Sequence, residues 1–129
     1  MENAAARRML AGGALAGAAG VLCGAFGAHA LRGLLDARAL DIWRTAVDYQ
    51  FWHALALLAC GLLARGGATR GLRTAGFAFA SGIVVFCGSL YALALGAPRA
   101  FGMVTPFGGV AFIVGWLTLA AHAWRFRGA

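Results

Sequence analysis

Apolar residues gather into four long runs separated by short arginine-bearing segments. The first, Met9 to Leu31, contains no Arg, Lys, Asp or Glu over 23 residues, and three more follow at approximately 46–64, 74–95 and 106–124. Each is close to the ~20 residues that a helix needs to cross ~30 Å of hydrocarbon. The pattern predicts an all-α membrane protein in which residues 1–129 form a single integral membrane domain of four transmembrane helices. Arg65-Gly66-Gly67 and Gly96-Ala97-Pro98-Arg99 are loop-forming combinations that mark two of the connections. Thr105-Pro106 predicts a helix start, with the hydroxyl as N-cap and the proline at the first helical position, where its missing N–H costs nothing.

Within the first run, Gly13, Gly17, Gly20, Gly24 and Gly27 recur at spacings of 4, 3, 4 and 3, which places all five on one helical seam. Such a seam lets a neighbouring backbone approach closely, and in lipid close packing is a main source of helix association. Shorter versions follow in the third run (Ala78, Ser81, Val85, Gly88, Ala92) and the fourth (Gly108, Ala111, Gly115, Thr118, His122). A tight bundle built on small residues is therefore expected, with Phe77, Phe79, Phe86, Phe112 and Ile113 facing lipid or filling space between helices. Residues 36–48 have a different pattern. Leu40, Trp43 and Val47 share one helical face and Asp41, Arg44 and Asp48 another, with Asp36 placed to cap the start. This is a short amphipathic helix between the first two spans, either lying on the outer surface or running on into the second span.

Composition strengthens the membrane reading: 62% of residues are hydrophobic and 12% charged, too apolar for a soluble domain of this length. The net charge of +7 comes from eleven arginines that sit singly or in pairs between the apolar runs. Lipid head groups are their expected partners; no basic patch with interleaved aromatics points to nucleic acid. Seven arginines fall on the side of the two termini and the second loop, and four on the side of the first and third loops, where Asp36, Asp41 and Asp48 offset them. Both termini are thus expected in the cytoplasm. Ala28-His29-Ala30 also fits a signal-peptide cleavage pattern, but the preceding run exceeds the ~7–15 residues of a signal-peptide core, and a discarded peptide needs no glycine seam.

Candidate chemistry centres on polar residues that enter the membrane. Gln50, His53, Leu57 and Cys60 share one face of the second span, with Tyr49 beside them. Counted from the flanking charges, His29 and His53 reach similar depths, so His29, His53, Tyr49 and Gln50 form a candidate polar cluster at the outer end of the bundle. Three readings of the histidine pair compete: imidazoles hydrogen-bonded to buried polar partners, a proton- or substrate-handling site, and axial ligation of a haem or metal. No C-x-x-C-H or H-E-x-x-H motif is present, so no metal set, resident cofactor or catalytic set is assigned. Cys23, Cys60 and Cys87 lie inside apolar runs and read as small hydrophobes.

The stretches GAFGAHAL (Gly24 to Leu31), YQFWHALALL (Tyr49 to Leu58), GSLYALAL (Gly88 to Leu95) and TPFGGVAFIVGW (Thr105 to Trp116), in this order, resemble the domain of unknown function 423 family, which includes bacterial YgdD- and YwdK-type proteins and the eukaryotic transmembrane protein 256. The resemblance implies a four-span protein of the bacterial cytoplasmic membrane and marks the His29 and His53 motifs, Gly88 to Tyr91 and Thr105-Pro106 as characteristic parts. It implies no reaction. Two classes of function stay open: a structural or accessory component that associates with itself or a larger complex, and a small oligomeric transporter or channel. Transport is the weaker of the two, because the usual intramembrane carboxylate relay is missing and small-residue faces favour close contact. A redox component using His29 and His53 ranks third.

Overall fold

A computed structural model describes residues 3–125. Four helices, each long and apolar enough to cross a membrane, account for nearly all of it: α1 (Ala4–His29), α2 (Ala37–Ala64), α3 (Arg70–Ala94) and α4 (Phe101–Arg125). Short polar side chains start three of them by accepting otherwise orphan backbone N–H groups: Asn3 from Ala6, Asp36 from Ala39 and Thr69 from Leu72. The connections after α2 and α3 turn at Gly67 (φ +143°) and Gly96 (φ +98°), in a region of backbone space that side-chain-bearing residues rarely occupy.

The amphipathic segment 36–48 is the first part of α2, the continuous arrangement of the two that its pattern allowed. No Gly or Pro interrupts residues 37–60, so nothing ends the helix before it enters the membrane. Its 28 residues span ~42 Å, longer than the hydrocarbon layer, which leaves the Asp41–Arg44 ion pair (3.5 Å) outside. The fourth helix, in contrast, corrects an expectation. Thr105-Pro106 does not begin α4; the helix starts at Phe101, where Phe101, Gly102 and Met103 donate to Pro98, Arg99 and Ala100 in a tight opening turn. Pro106 lies inside α4, early enough that the carbonyl deprived of its partner is that of Gly102, and Thr105 donates back to the Phe101 carbonyl.

The helices run alternately up and down. At one end Asn3 Nδ2 donates to the Ala64 carbonyl (2.6 Å) and Thr69 meets His122 (3.3 Å), so both ends of the described chain lie beside the α2–α3 loop. α2 is the central and most buried helix; α1 packs along it, and α4 packs on α3. Phe79, Leu72, Cys60 and Cys87 are fully enclosed, and Phe112 is buried beside them. Phe77 and Ile113 point outward, as a lipid-facing surface allows.

Midway along α3, Ile83–Cys87 form a π-helical turn. Its effect appears in the inward positions Leu72, Ala75, Phe79, Gly82, Cys87, Tyr91 and Ala94, which advance by three or four residues except for one step of five across the turn. The extra residue rotates the second half of α3 by about 100°. The expected small-residue face of this span is thereby broken: Gly88 is exposed, and a Cβ added there would meet nothing within 4 Å, while Ser89 is buried.

Candidate functional site

Glycines determine how closely the helices approach. A methyl group added at Gly13 would sit 2.9 Å from the Ala54 carbonyl oxygen, and one at Gly27 would sit 2.6 Å from the Trp43 indole. At Gly20 it would press on the Phe51 ring at 3.1 Å, and at Gly24 it would make ordinary contact with Val47; Gly17 faces open space. Four of the five seam positions therefore meet α2. Across the other interface, a Cβ at Gly108 would collide with the backbone of Phe86, and one at Gly115 would sit 2.7 Å from the Phe79 ring.

This close approach brings polar side chains within reach of the neighbouring backbone. Gln50, 5% exposed, donates from Nε2 to the Ala16 carbonyl of α1 (2.8 Å) and accepts at Oε1 from the Tyr91 hydroxyl of α3 (2.7 Å). One side chain thus joins three helices, near the middle of α1 and α2 and in the last turn of α3. Toward the end of the bundle that carries the α1–α2 connection, Trp43 Nε1 donates to the Cys23 carbonyl (2.8 Å) and its ring packs on Tyr91 (4.6 Å between centroids). Between α3 and α4, the Ser89 and Thr105 hydroxyls lie 2.6 Å apart.

His53 is 4% exposed and sits in an aromatic box. Its ring stacks on Phe112 with centroids 3.5 Å apart and 10° between planes, flanked by Tyr49, Phe79 and Trp116. Trp116 Nε1 donates to His53 Nε2 (3.1 Å), and His53 Nδ1 contacts the Tyr49 carbonyl (2.7 Å). An indole N–H is a donor only, so Nε2 is an acceptor and the proton resides on Nδ1, which donates to Tyr49. Both nitrogens of a neutral imidazole are thereby engaged.

The expected cluster at the outer end is thus only partly assembled. Gln50, Tyr49 and His53 lie together, but at mid-depth, and His29 is not among them. Contacts of Gly13 with Ala54 and of Gln50 with Ala16 put His53 level with residues 13–16 of α1, roughly 20 Å along the helix from His29. His29 is exposed at the C-terminal end of α1. Because α2 begins at Ala37, His53 lies deeper than in a span starting near residue 46. His29 and His53 therefore do not face one another, and both His53 nitrogens are hydrogen-bonded within the bundle.

Tyr91, Trp116, Trp43 and Ser89 belong to the network and were not assigned to it from sequence. Tyr91 and Ser89 fall inside a stretch already singled out by its motif, but the π turn that aims them inward has no recognisable signature. Among the described residues, every buried side-chain nitrogen and oxygen atom has a hydrogen-bond partner. The belt is chemically closed, and its groups act as interhelical ties.

Comparison with known proteins agrees with this architecture. A family model described as a protein of unknown function, DUF423, matches residues 23–109. Similar proteins include a UPF0382 membrane protein of Staphylococcus saprophyticus, 48% identical over 88% of this chain and 93% of its own length. Another, from Staphylococcus epidermidis, is 46% identical over 90% of this chain and 94% of its own. The UPF0382 membrane protein YwdK of Bacillus subtilis is 40% identical over 80% and 85%. No solved structure matches. A four-helix membrane bundle with a match of this extent belongs to the DUF423 family.

Proposed function

We propose that this protein is a structural or accessory component of the bacterial cytoplasmic membrane, with both termini in the cytoplasm, and that it works by association with other membrane components. The observation that carries this reading is the closed polar belt: Gln50, Tyr91, His53 and Trp116 spend their hydrogen-bonding groups on one another and on the helix backbones. Polar groups that handle a substrate need free donors or acceptors facing a path, whereas these hold helices together. Association then falls to the outer faces of α1 and α4, where Leu15, Leu22, Phe107 and Leu117 are all well exposed. The arginine distribution supports the orientation, since Arg7, Arg8, Arg65, Arg70, Arg73 and Arg125 share the end that holds both described termini.

The test is purification of the tagged protein, at native expression level, in mild detergent after in-membrane crosslinking, followed by mass spectrometry. A partner recovered in fixed stoichiometry, and lost when Leu15 and Leu22 are changed to Ala, is the expected result. A homo-oligomer that conducts a solute into liposomes overturns the reading in favour of transport. A C-terminal alkaline phosphatase fusion is expected to be inactive, and an active fusion reverses the orientation.

A further inference from the structure

At the end of the bundle that holds both described termini, the start of α3 and the last turns of α4 line an open pocket of about 650 Å³. Arg70 and Arg125 line it from the two helices; Thr69 and His122, in contact at 3.3 Å, form its polar wall, and Leu117 its apolar wall. We propose that this pocket is a binding site for an anionic phospholipid, with the phosphodiester held by Arg70 and Arg125 and an acyl chain laid along Leu117.

Three observations on the pocket point to this ligand. The first is charge. Guanidinium groups pair with phosphate oxygens through parallel N–H donors, and no described carboxylate shares this end of the bundle to compete for them. Asp36, Asp41 and Asp48 all lie in the opposite half, before or within the first part of α2. There, a smaller pocket of about 240 Å³ is lined by Arg32 and Arg44, but Asp41 already pairs with Arg44 at 3.5 Å. The second is shape. Leu117 lies eight residues before Arg125, so the pocket extends ~12 Å along α4 from charged rim to apolar wall. A free phosphate ion would use only the rim; an amphiphile uses the whole length. The third is depth. Trp124, 78% exposed beside Arg125, has the interfacial position typical of tryptophan at the head-group level.

Gly71 supplies a way to close the pocket without touching its charge. A Cβ at this position would find its nearest atoms at 3.9 Å, on His122 and Thr69, so a larger side chain enters the pocket rather than the core. The test is native mass spectrometry of the full chain released from nanodiscs of phosphatidylglycerol and phosphatidylcholine in equal amounts, with helicity checked by circular dichroism. Retention of one phosphatidylglycerol is expected, reduced about fivefold by Arg70→Gln or Arg125→Gln and about twenty-five-fold by both. Gly71→Leu should also reduce it, while Arg44→Gln, at the other end, should leave it unchanged. Equal retention of phosphatidylcholine, or undiminished retention in the double variant or in Gly71→Leu, overturns the proposal. So does displacement of the lipid by an equal concentration of glycerol phosphate, which would make the site one for a free anion.

Discussion

The Tyr91 hydroxyl donates to Gln50 Oε1 at 2.7 Å, while the same amide donates to the Ala16 carbonyl at 2.8 Å. Because the amide is shared, the two contacts are expected to be energetically coupled. Tyr91→Phe should cost about 1 kcal/mol, in the range of interhelical hydrogen bonds in membranes. Gln50→Leu should cost about 2 kcal/mol, since it also leaves the Tyr91 hydroxyl without its partner in the bundle. The double variant should lose less than the sum. Unfolding of the four proteins in mixed micelles measures this, and strict additivity would show that the two side chains do not interact.

His53 has a defined tautomer in this arrangement. Selective ¹⁵N labelling of histidine should reveal one neutral ring protonated at Nδ1, and a His53 signal protonated at Nε2 would contradict the Trp116 hydrogen bond. Trp116→Phe removes that donor and should destabilise the bundle by about 1 kcal/mol. Adding haem to the purified protein should produce no Soret band that depends on His53.

The glycine seam makes a position-specific prediction. Gly13→Ala drives a methyl group against the α2 backbone, which cannot move aside as a flexible side chain can, and should cost about 1–3 kcal/mol. Gly17→Ala meets open space and gains helix propensity, so it should be neutral or stabilising by up to about 1 kcal/mol. Thermal unfolding in detergent distinguishes the two. Equal losses at both positions would mean that the seam is not the contact surface.

Deleting Val84, which is 72% exposed, should convert the π turn to regular α-helix and rotate Tyr91 away from Gln50. The deletion should therefore make a subsequent Tyr91→Phe change nearly free of cost. If Tyr91→Phe remains as costly as in the parent chain, the turn does not control where Tyr91 points.

Much of the fold was legible because its causes are local. Runs of apolar residues long enough to span the bilayer define helices without reference to any neighbour, and the Asp36 side chain caps α2 by accepting from the Ala39 N–H three residues on. The start of α4 differs from its sequence signal for a related reason. Thr105-Pro106 has the chemistry of a helix N-terminus, yet the preceding Phe101 to Val104 can also be helical, and the tight turn after Pro98 begins the helix there. Of the polar cluster, Tyr49, Gln50 and His53 were found because they lie on one helix. Their partners Tyr91 and Trp116 come from other helices, and His29 lies far from them because α2 begins at Ala37, well before its apolar run.

By itself, then, the sequence determined four membrane helices, their alternating course and the glycine line along α1, all consequences of helical periodicity and the cost of exposing backbone or charge to lipid. The tertiary structure decided which glycines touch α2, that His53 faces Trp116 instead of His29, and that Gln50 holds three helices. Those outcomes depend on relative shift and rotation between helices. A single extra residue in the turn at Ile83–Cys87 swings Tyr91 by about 100°, and no periodicity within one helix records its neighbour's rotation.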